Sequence, residues 1–158
     1  MTNTEIERKY LITGNSFLTQ AVAVHHISQG YLSVNPDCTI RVRRKDDKAF
    51  LTVKGRNPEG GISHFEWEKP ITAQDAEALL SLCREGIILK ERYLVPLGSL
   101  TIEVDVFHGA NEGLVLAEIE LPSEDYPLPP LPDFIGQEVT SDPRYYNSYL
   151  STHPFTTW

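Results

Sequence analysis

Charged side chains recur at intervals of two along this 158-residue chain, and their signs come in blocks. Glu5, Glu7 and Lys9 are followed by Arg41, Arg43 and Lys45, then by Thr52 and Lys54, then by His64, Glu66 and Glu68. Lys90 and Arg92, Glu103 and Asp105, and Glu118 and Glu120 continue the series. Carboxylates side by side repel and call for a cation, whereas a run of Arg and Lys calls for an anion. Hard divalent cations choose carboxylate oxygen. Arginine suits a two-pronged grip on phosphate, and lysine acts as a point charge. One chain therefore offers both a cation site and an anion site.

The elements that carry these residues read as strands. A strand repeats its side-chain direction every two residues, so each charged set lies on one face. Ile6, Ile40, Val42, Phe65, Trp67, Ile102, Val104, Val106 and Ile119 lie on the other. Eight strands are predicted near residues 3–12, 27–34, 39–45, 49–54, 62–69, 87–95, 99–107 and 114–121, from β-branched and aromatic residues alternating with polar ones. Turn chemistry separates them at 45–48, 55–61, 95–98 and 108–113. Ser16 opens a short predicted helix through about His25, and Thr72 with Asp75 opens another through about Arg84, with Gly86 as its stop. Asp142 and Pro143 begin a third over 143–151. The four prolines within 123–134 forbid a regular element there, leaving an ordered loop.

Any single strand could be the solvated face of a β-sandwich. Taken together, positions that are carboxylates or long basic groups almost without exception point to a lined interior. A closed eight-stranded barrel leaves room inside for one small ligand. Unpaired charges in a dry core cost several kcal/mol each, so such a lumen must contain water, metal or polyanion. The apolar outer face would then be covered by the three helices.

Bulk properties narrow the classes. The length fits one domain over 1–158, and an apolar share of 41% with a charged share of 23% is ordinary for a globular chain. A net charge of −8 disfavours a nucleic-acid partner. No apolar run approaches a membrane span and no secretory leader is evident, so a cytoplasmic protein without a membrane partner is expected. Cys38 and Cys83 form neither a disulfide framework nor a thiolate zinc site. GRNPEGG lacks the Lys-Ser/Thr of a phosphate loop, and no serine-hydrolase elbow or HExxH helix occurs.

In order and type, Glu5-x-Glu7-x-Lys9, Arg41-x-Arg43, Lys54, Glu66-x-Glu68, Lys90-x-Arg92, Glu103-x-Asp105, Glu118-x-Glu120 and the tail EVTSDPRYYNSYL resemble the CYTH superfamily of triphosphate tunnel metalloenzymes. The resemblance spans nearly the whole chain. It implies a mainly β (α+β) fold, a closed eight-stranded antiparallel β-barrel with a few flanking helices, acting on a small-molecule triphosphate with Mg²⁺ or Mn²⁺. Glu5, Glu7, Glu118 and Glu120, with Asp105 close behind, would hold metal. Lys9, Arg41, Arg43, Lys54, Lys90, Arg92 and Arg144 would clamp phosphate.

Hydrolysis of inorganic tripolyphosphate is the leading expectation, with nucleoside or thiamine triphosphates as further substrates. Lys9, Tyr31, Glu66, Glu68 and Lys90 are the candidate catalytic groups. Tyr31 resembles a tyrosine that related triphosphatases pair with the first-strand lysine, though it reads equally as a strand aromatic. Glu66 and Glu68 either position water or balance the clamp, and His64 reads as a hydrogen-bonded spectator. A class IV adenylyl cyclase and a non-catalytic triphosphate- or polyphosphate-binding module remain alternatives, and these residues do not fix whether the chain forms a homodimer.

Overall fold

The computed structural model describes residues 4–56, 62–83 and 86–158. Its strands are β1 (Thr4–Ile12), β2 (Ala23–Asn35), β3 (Cys38–Lys45), β4 (Lys48–Arg56), β5 (Ser63–Ile71), β6 (Ile88–Leu97), β7 (Leu100–His108), β8 (Val115–Glu120) and β9 (Ile135–Glu138). Neighbours run β5-β4-β3-β2-β6-β7-β8-β1, all antiparallel, and β1 returns to β5 to close the ring. Closure leaves no long open edge to aggregate. The seam is short: Thr4, Glu5 and Ile6 face Phe65, His64 and Ser63. Further along the same edge of β1, Tyr10 and Ile12 instead face Glu138 and Ile135 of β9. This four-residue strand is too brief to show an alternation, and it was not expected from the sequence.

In two of the two-residue hairpin turns the first residue has the positive φ that suits the strand twist. Between β3 and β4 the loop is Asp46-Asp47, and Asp46 has φ +55. Its carboxylate accepts from the His26 backbone N–H at 2.9 Å and contacts His25 Nδ1 at 2.6 Å. Between β6 and β7 the loop is Gly98-Ser99, with Gly98 at φ +60. The expected turn at 95–98 therefore moves forward, and Pro96 stays in β6. Leu94 O accepts from Val22 N, so the nitrogen of Pro96, two residues on, points past the end of β2, where no ladder bond is lost.

The helices are shorter than expected. The first, α1 (Phe17–Gln20), stops early because Val22 and Val24 continue a period of two into β2, which also takes in His25 and His26. The second, α2 (Ala73–Leu80), has the expected cap, with Thr72 Oγ1 accepting from Asp75 N at 3.0 Å. Its expected end near Arg84 lies outside the described residues, as does most of the 55–61 turn. The 143–151 helix divides into a 3₁₀ turn (Pro143–Tyr145) and α3 (Asn147–Leu150), because Tyr146 is extended.

These elements cover the barrel in an unexpected way. Outward residues of β1 and β6 to β8, including Tyr10, Val95, Ile102, Val104, Ala117 and Ile119, pack under Phe17, Leu121 and Phe134, with Tyr126 and Leu128 of the proline-rich loop. Helix α2 packs Ala76, Leu79 and Leu80 on Val42, Ala49 and Leu51. The C-terminal segment does not cover an outer face. Leu150 and Val139 instead join Tyr31, Ile88, Phe107, Leu116 and Leu11, which share the inward face with the charged residues. The inward alternation turns apolar at this end, and the chain terminus stoppers it.

Candidate active site

Register places the charged sets on one continuous inner wall. Glu7 lies opposite Glu120, Lys9 opposite Glu118, Glu118 opposite Glu103, Arg92 opposite Asp105, Tyr31 opposite Arg41, Thr52 opposite Glu68 and Lys54 opposite Glu66. The wall is divided by sign. Strands β4, β3 and β6 contribute Lys54, Arg41, Arg43, Lys90 and Arg92, with β2 between them supplying the neutral Gln29 and Tyr31. Strands β7, β8, β1 and β5 contribute the carboxylates, with Lys9 as the exception.

Some of these charges are firmly paired. Asp105, almost fully buried, accepts from Lys90 Nζ at 2.7 Å and from Arg92 Nε and Nη2 at 2.8 and 2.9 Å. Burial alone would raise its pKa, but Arg92 and Lys90 hold it below the ordinary carboxylate value. Arg92 also reaches Glu103 at 3.1 Å. Burial works against the charge of Arg92, yet Asp105 and Glu103 keep it above its usual range. Burial also lowers Lys90, as do Arg92 and Arg43, and despite Asp105 it falls to about 7. Lys9 loses by burial and gains more from Glu118, Glu7 and Asp105, so it ends above its ordinary value.

Other groups are left short of partners. Arg43 donates Nε to Gln29 Oε1 at 2.8 Å, and among the described residues no carboxylate lies within ion-pair distance of its guanidinium. Burial and the positive charges of Arg41 and Arg92 lower it to about 9. Arg41 reaches Thr52 at 3.2 Å and Glu68 at 3.5 Å through Nη2, while its Nε is buried without a hydrogen-bond partner. An orphaned buried donor is costly, and an incoming anion removes the cost.

On the acidic side, burial raises Glu120, reinforced by Glu103 and Glu7, and burial likewise raises Glu103 despite Arg92. Glu5 Oε2 is buried and its partner is Lys54 Nζ, 2.8 Å away. Among the described residues no three ligating groups converge on one point. The set nevertheless fits Mg²⁺ or Mn²⁺, because Mg²⁺ is commonly held by one or two carboxylates and completed by water and substrate phosphate. The repulsion among Glu120, Glu103 and Glu7 is what such a cation would relieve.

The remaining candidates are scattered. Glu68 accepts from Thr52 Oγ1 at 2.8 Å, and Glu66 stands 3.9 Å from Lys54. Tyr31 is directed at Gln29, whose Nε2 donates to its hydroxyl at 3.1 Å; Lys9 Nζ instead donates to Tyr145 O at 2.9 Å and lies over the Tyr146 ring. Arg144 is exposed, bound by Asp142 at 2.7 Å and near the rings of Tyr145 and Trp158, apart from the other cations. His64 faces Glu5 across the seam, its pKa lowered by burial and by Lys54. Sequence reasoning missed Gln29 and Asn147. Gln29 shares the inward spacing of Tyr31 and could have been found by it, whereas nothing in the tail's pattern marks Asn147.

Comparison with known proteins agrees with this geometry. The family profile described as the CYTH domain matches residues 3–146. An inorganic triphosphatase of Acetivibrio thermocellus is 45% identical over 96% of this chain and 95% of its own length. One of Nitrosomonas europaea is 36% identical over 94% and 97%. The crystal structure of an inorganic triphosphatase superposes with a TM-score of 0.65 at 30% identity, covering 93% of each chain. An inner wall divided into basic and acidic arcs, a profile match over nearly the whole chain and two relatives of nearly equal length lead to one assignment: the chain belongs to the CYTH domain family.

Proposed function

We propose that this protein is a metal-dependent inorganic triphosphatase, which cleaves tripolyphosphate with water to give pyrophosphate and phosphate. The observation that carries this reading is the Arg41 and Arg43 pair, cations lodged side by side in the barrel wall, one with an orphaned buried N–H and the other without a carboxylate. A polyanion satisfies both. The two relatives named for this reaction support hydrolysis over cyclisation.

In this reading Arg41, Arg43, Lys54, Lys9, Lys90 and Arg92 hold the phosphates. Asp105 serves the clamp, because both its oxygens are occupied by Lys90 and Arg92. Glu5, Glu7, Glu118 and Glu120 are the metal carboxylates. A divalent cation held by them and by phosphate oxygens would offset the charge that develops on the transferred phosphoryl group. Glu68 balances Arg41, whereas the loosely held Glu66 is free to orient the attacking water. Arg144, tied to Asp142, is left outside the clamp.

Phosphate release from tripolyphosphate, ATP and thiamine triphosphate, each with Mg²⁺ or Mn²⁺, tests the proposal. The fastest release is expected from tripolyphosphate. No release from any of the three sinks the hydrolase reading, and cyclic AMP from ATP would replace it with a cyclase.

A further inference from the structure

We infer that Asn147, on α3, is a positioning residue that aims the Lys90 ammonium at the bound triphosphate; the inference rests on the function proposed above. The Lys90 side chain is fully enclosed, and its Nζ donates to Asp105 Oδ2 at 2.7 Å and to Asn147 Oδ1 at 2.9 Å. An ammonium has three N–H groups, so these acceptors leave one. They come from different parts of the fold, Asp105 from the barrel wall and Asn147 from the terminal stopper. Two fixed acceptors on a tetrahedral nitrogen set the direction of the third N–H.

The same amide reaches further. Asn147 Oδ1 also lies 3.4 Å from Nε2 of the fully buried Gln29, whose Oε1 accepts from Arg43 Nε at 2.8 Å. One neutral oxygen thus links a clamp lysine and, through Gln29, a clamp arginine. Neutrality matters. Asp105 already offsets Lys90, and a second carboxylate would cancel the positive charge that a phosphate is to meet.

The test is a double-mutant cycle read as tripolyphosphate affinity by calorimetry, without metal so that no turnover occurs. Asn147→Leu is expected to weaken binding on the order of tenfold in the wild-type background and less than twofold in a Lys90→Met background. Equal weakening in both backgrounds, or none in the first, overturns the inference. Asn147→Ala, which is also neutral and also removes the acceptor, provides the same cycle should Asn147→Leu fail to fold. It too is expected to weaken binding on the order of tenfold only while Lys90 is present. A wild-type protein that neither binds nor hydrolyses tripolyphosphate refutes the proposed function itself. One that does both while Asn147→Leu matches it refutes only the role of Asn147.

Discussion

Replacing Arg43 with Met should make the ligand-free protein more stable while abolishing its activity. In the absence of an anion the Arg43 guanidinium faces Arg41 and Arg92 and has Gln29 as its hydrogen-bonded partner. Its fall from the ordinary arginine value to about 9 amounts to roughly 5 kcal/mol against the charged form. That is a ceiling, since relaxation and water screen much of it, and about 3 kcal/mol is a fairer share. Leaving Gln29 Oε1 without its donor returns about 1 kcal/mol.

The net gain is about 2 kcal/mol, a rise of roughly 6 °C in Tm for a chain of this size. The sign with pH follows from linkage. A base whose pKa falls on folding costs stability wherever both states are protonated, so the cost is undiminished below about 9 and fades as pH climbs from there toward the ordinary arginine value. Thermal denaturation at neutral pH in phosphate-free, metal-free buffer therefore sees all of it. Tripolyphosphate should raise the wild-type Tm and move the variant little, and turnover should fall at least a hundredfold, on the order expected for a lost transition-state contact. A variant less stable than wild type without anion, or one that keeps a tenth of wild-type turnover, would refute the account of Arg43 as an anion-seeking cation.

Three further outcomes follow from the same wall. Because burial and the neighbouring arginines hold Lys90 near 7, the free protein loses that charge as pH rises through neutrality; kcat/KM for tripolyphosphate should decline there, and Lys90→Arg should move the decline to higher pH. Glu120→Gln removes a carboxylate that burial, Glu103 and Glu7 already disfavour, so Tm should hold or rise while Mg²⁺-dependent turnover is lost and anion binding persists, as turnover, thermal melts and calorimetry can show. Asp105→Asn leaves Lys90 and Arg92 buried without their main counter-ion, and chemical denaturation should record a loss of about 3 kcal/mol.

Much of the barrel was legible because sign and spacing coincide. In a strand such as Thr4–Ile12, which alternates Glu5, Glu7 and Lys9 with Ile6, Arg8 and Tyr10, the period puts the charged set on one face, and the same pattern on the other strands turns that face inward. The pairing of Glu7 with Glu120 could not, since register depends on which strands meet. Two kinds of feature escaped. Elements whose role is set by tertiary placement, such as β9 and the stopper at 143–151, carry local signals that say helix or loop but not where they dock. Neutral members such as Gln29 and Asn147 also escaped, since their importance lies in the charged groups they touch. Asp105 shows the limit from the other side: its type fits a metal ligand as well as an ion-pair partner, and its contacts with Lys90 and Arg92 were needed to choose a role to propose.

The ion pairs across the lumen govern how ligands enter it. Glu5 Oε2 lies 2.8 Å from Lys54, and Glu118 stands 3.7 and 3.9 Å from Lys9 and Arg92. A triphosphate that takes Lys54, Lys9 and Arg92 leaves Glu5 and Glu118 as uncompensated carboxylates in a low-dielectric wall. A divalent cation that takes those carboxylates first leaves the basic groups in the same position. Each ligand is thus weakened alone and strengthened by the other, and linkage requires the two effects to be equal. Calorimetric titrations should show Mg²⁺ tightening tripolyphosphate by the factor by which tripolyphosphate tightens Mg²⁺. Part of any such coupling arises from Mg²⁺ binding tripolyphosphate directly, so the discriminating comparison is Lys54→Met. Removing Lys54 frees Glu5 beforehand and should reduce the coupling on the order of fivefold, about the lower limit of typical couplings between sites. An unchanged factor would mean that the ion pairs across the lumen are bystanders to binding.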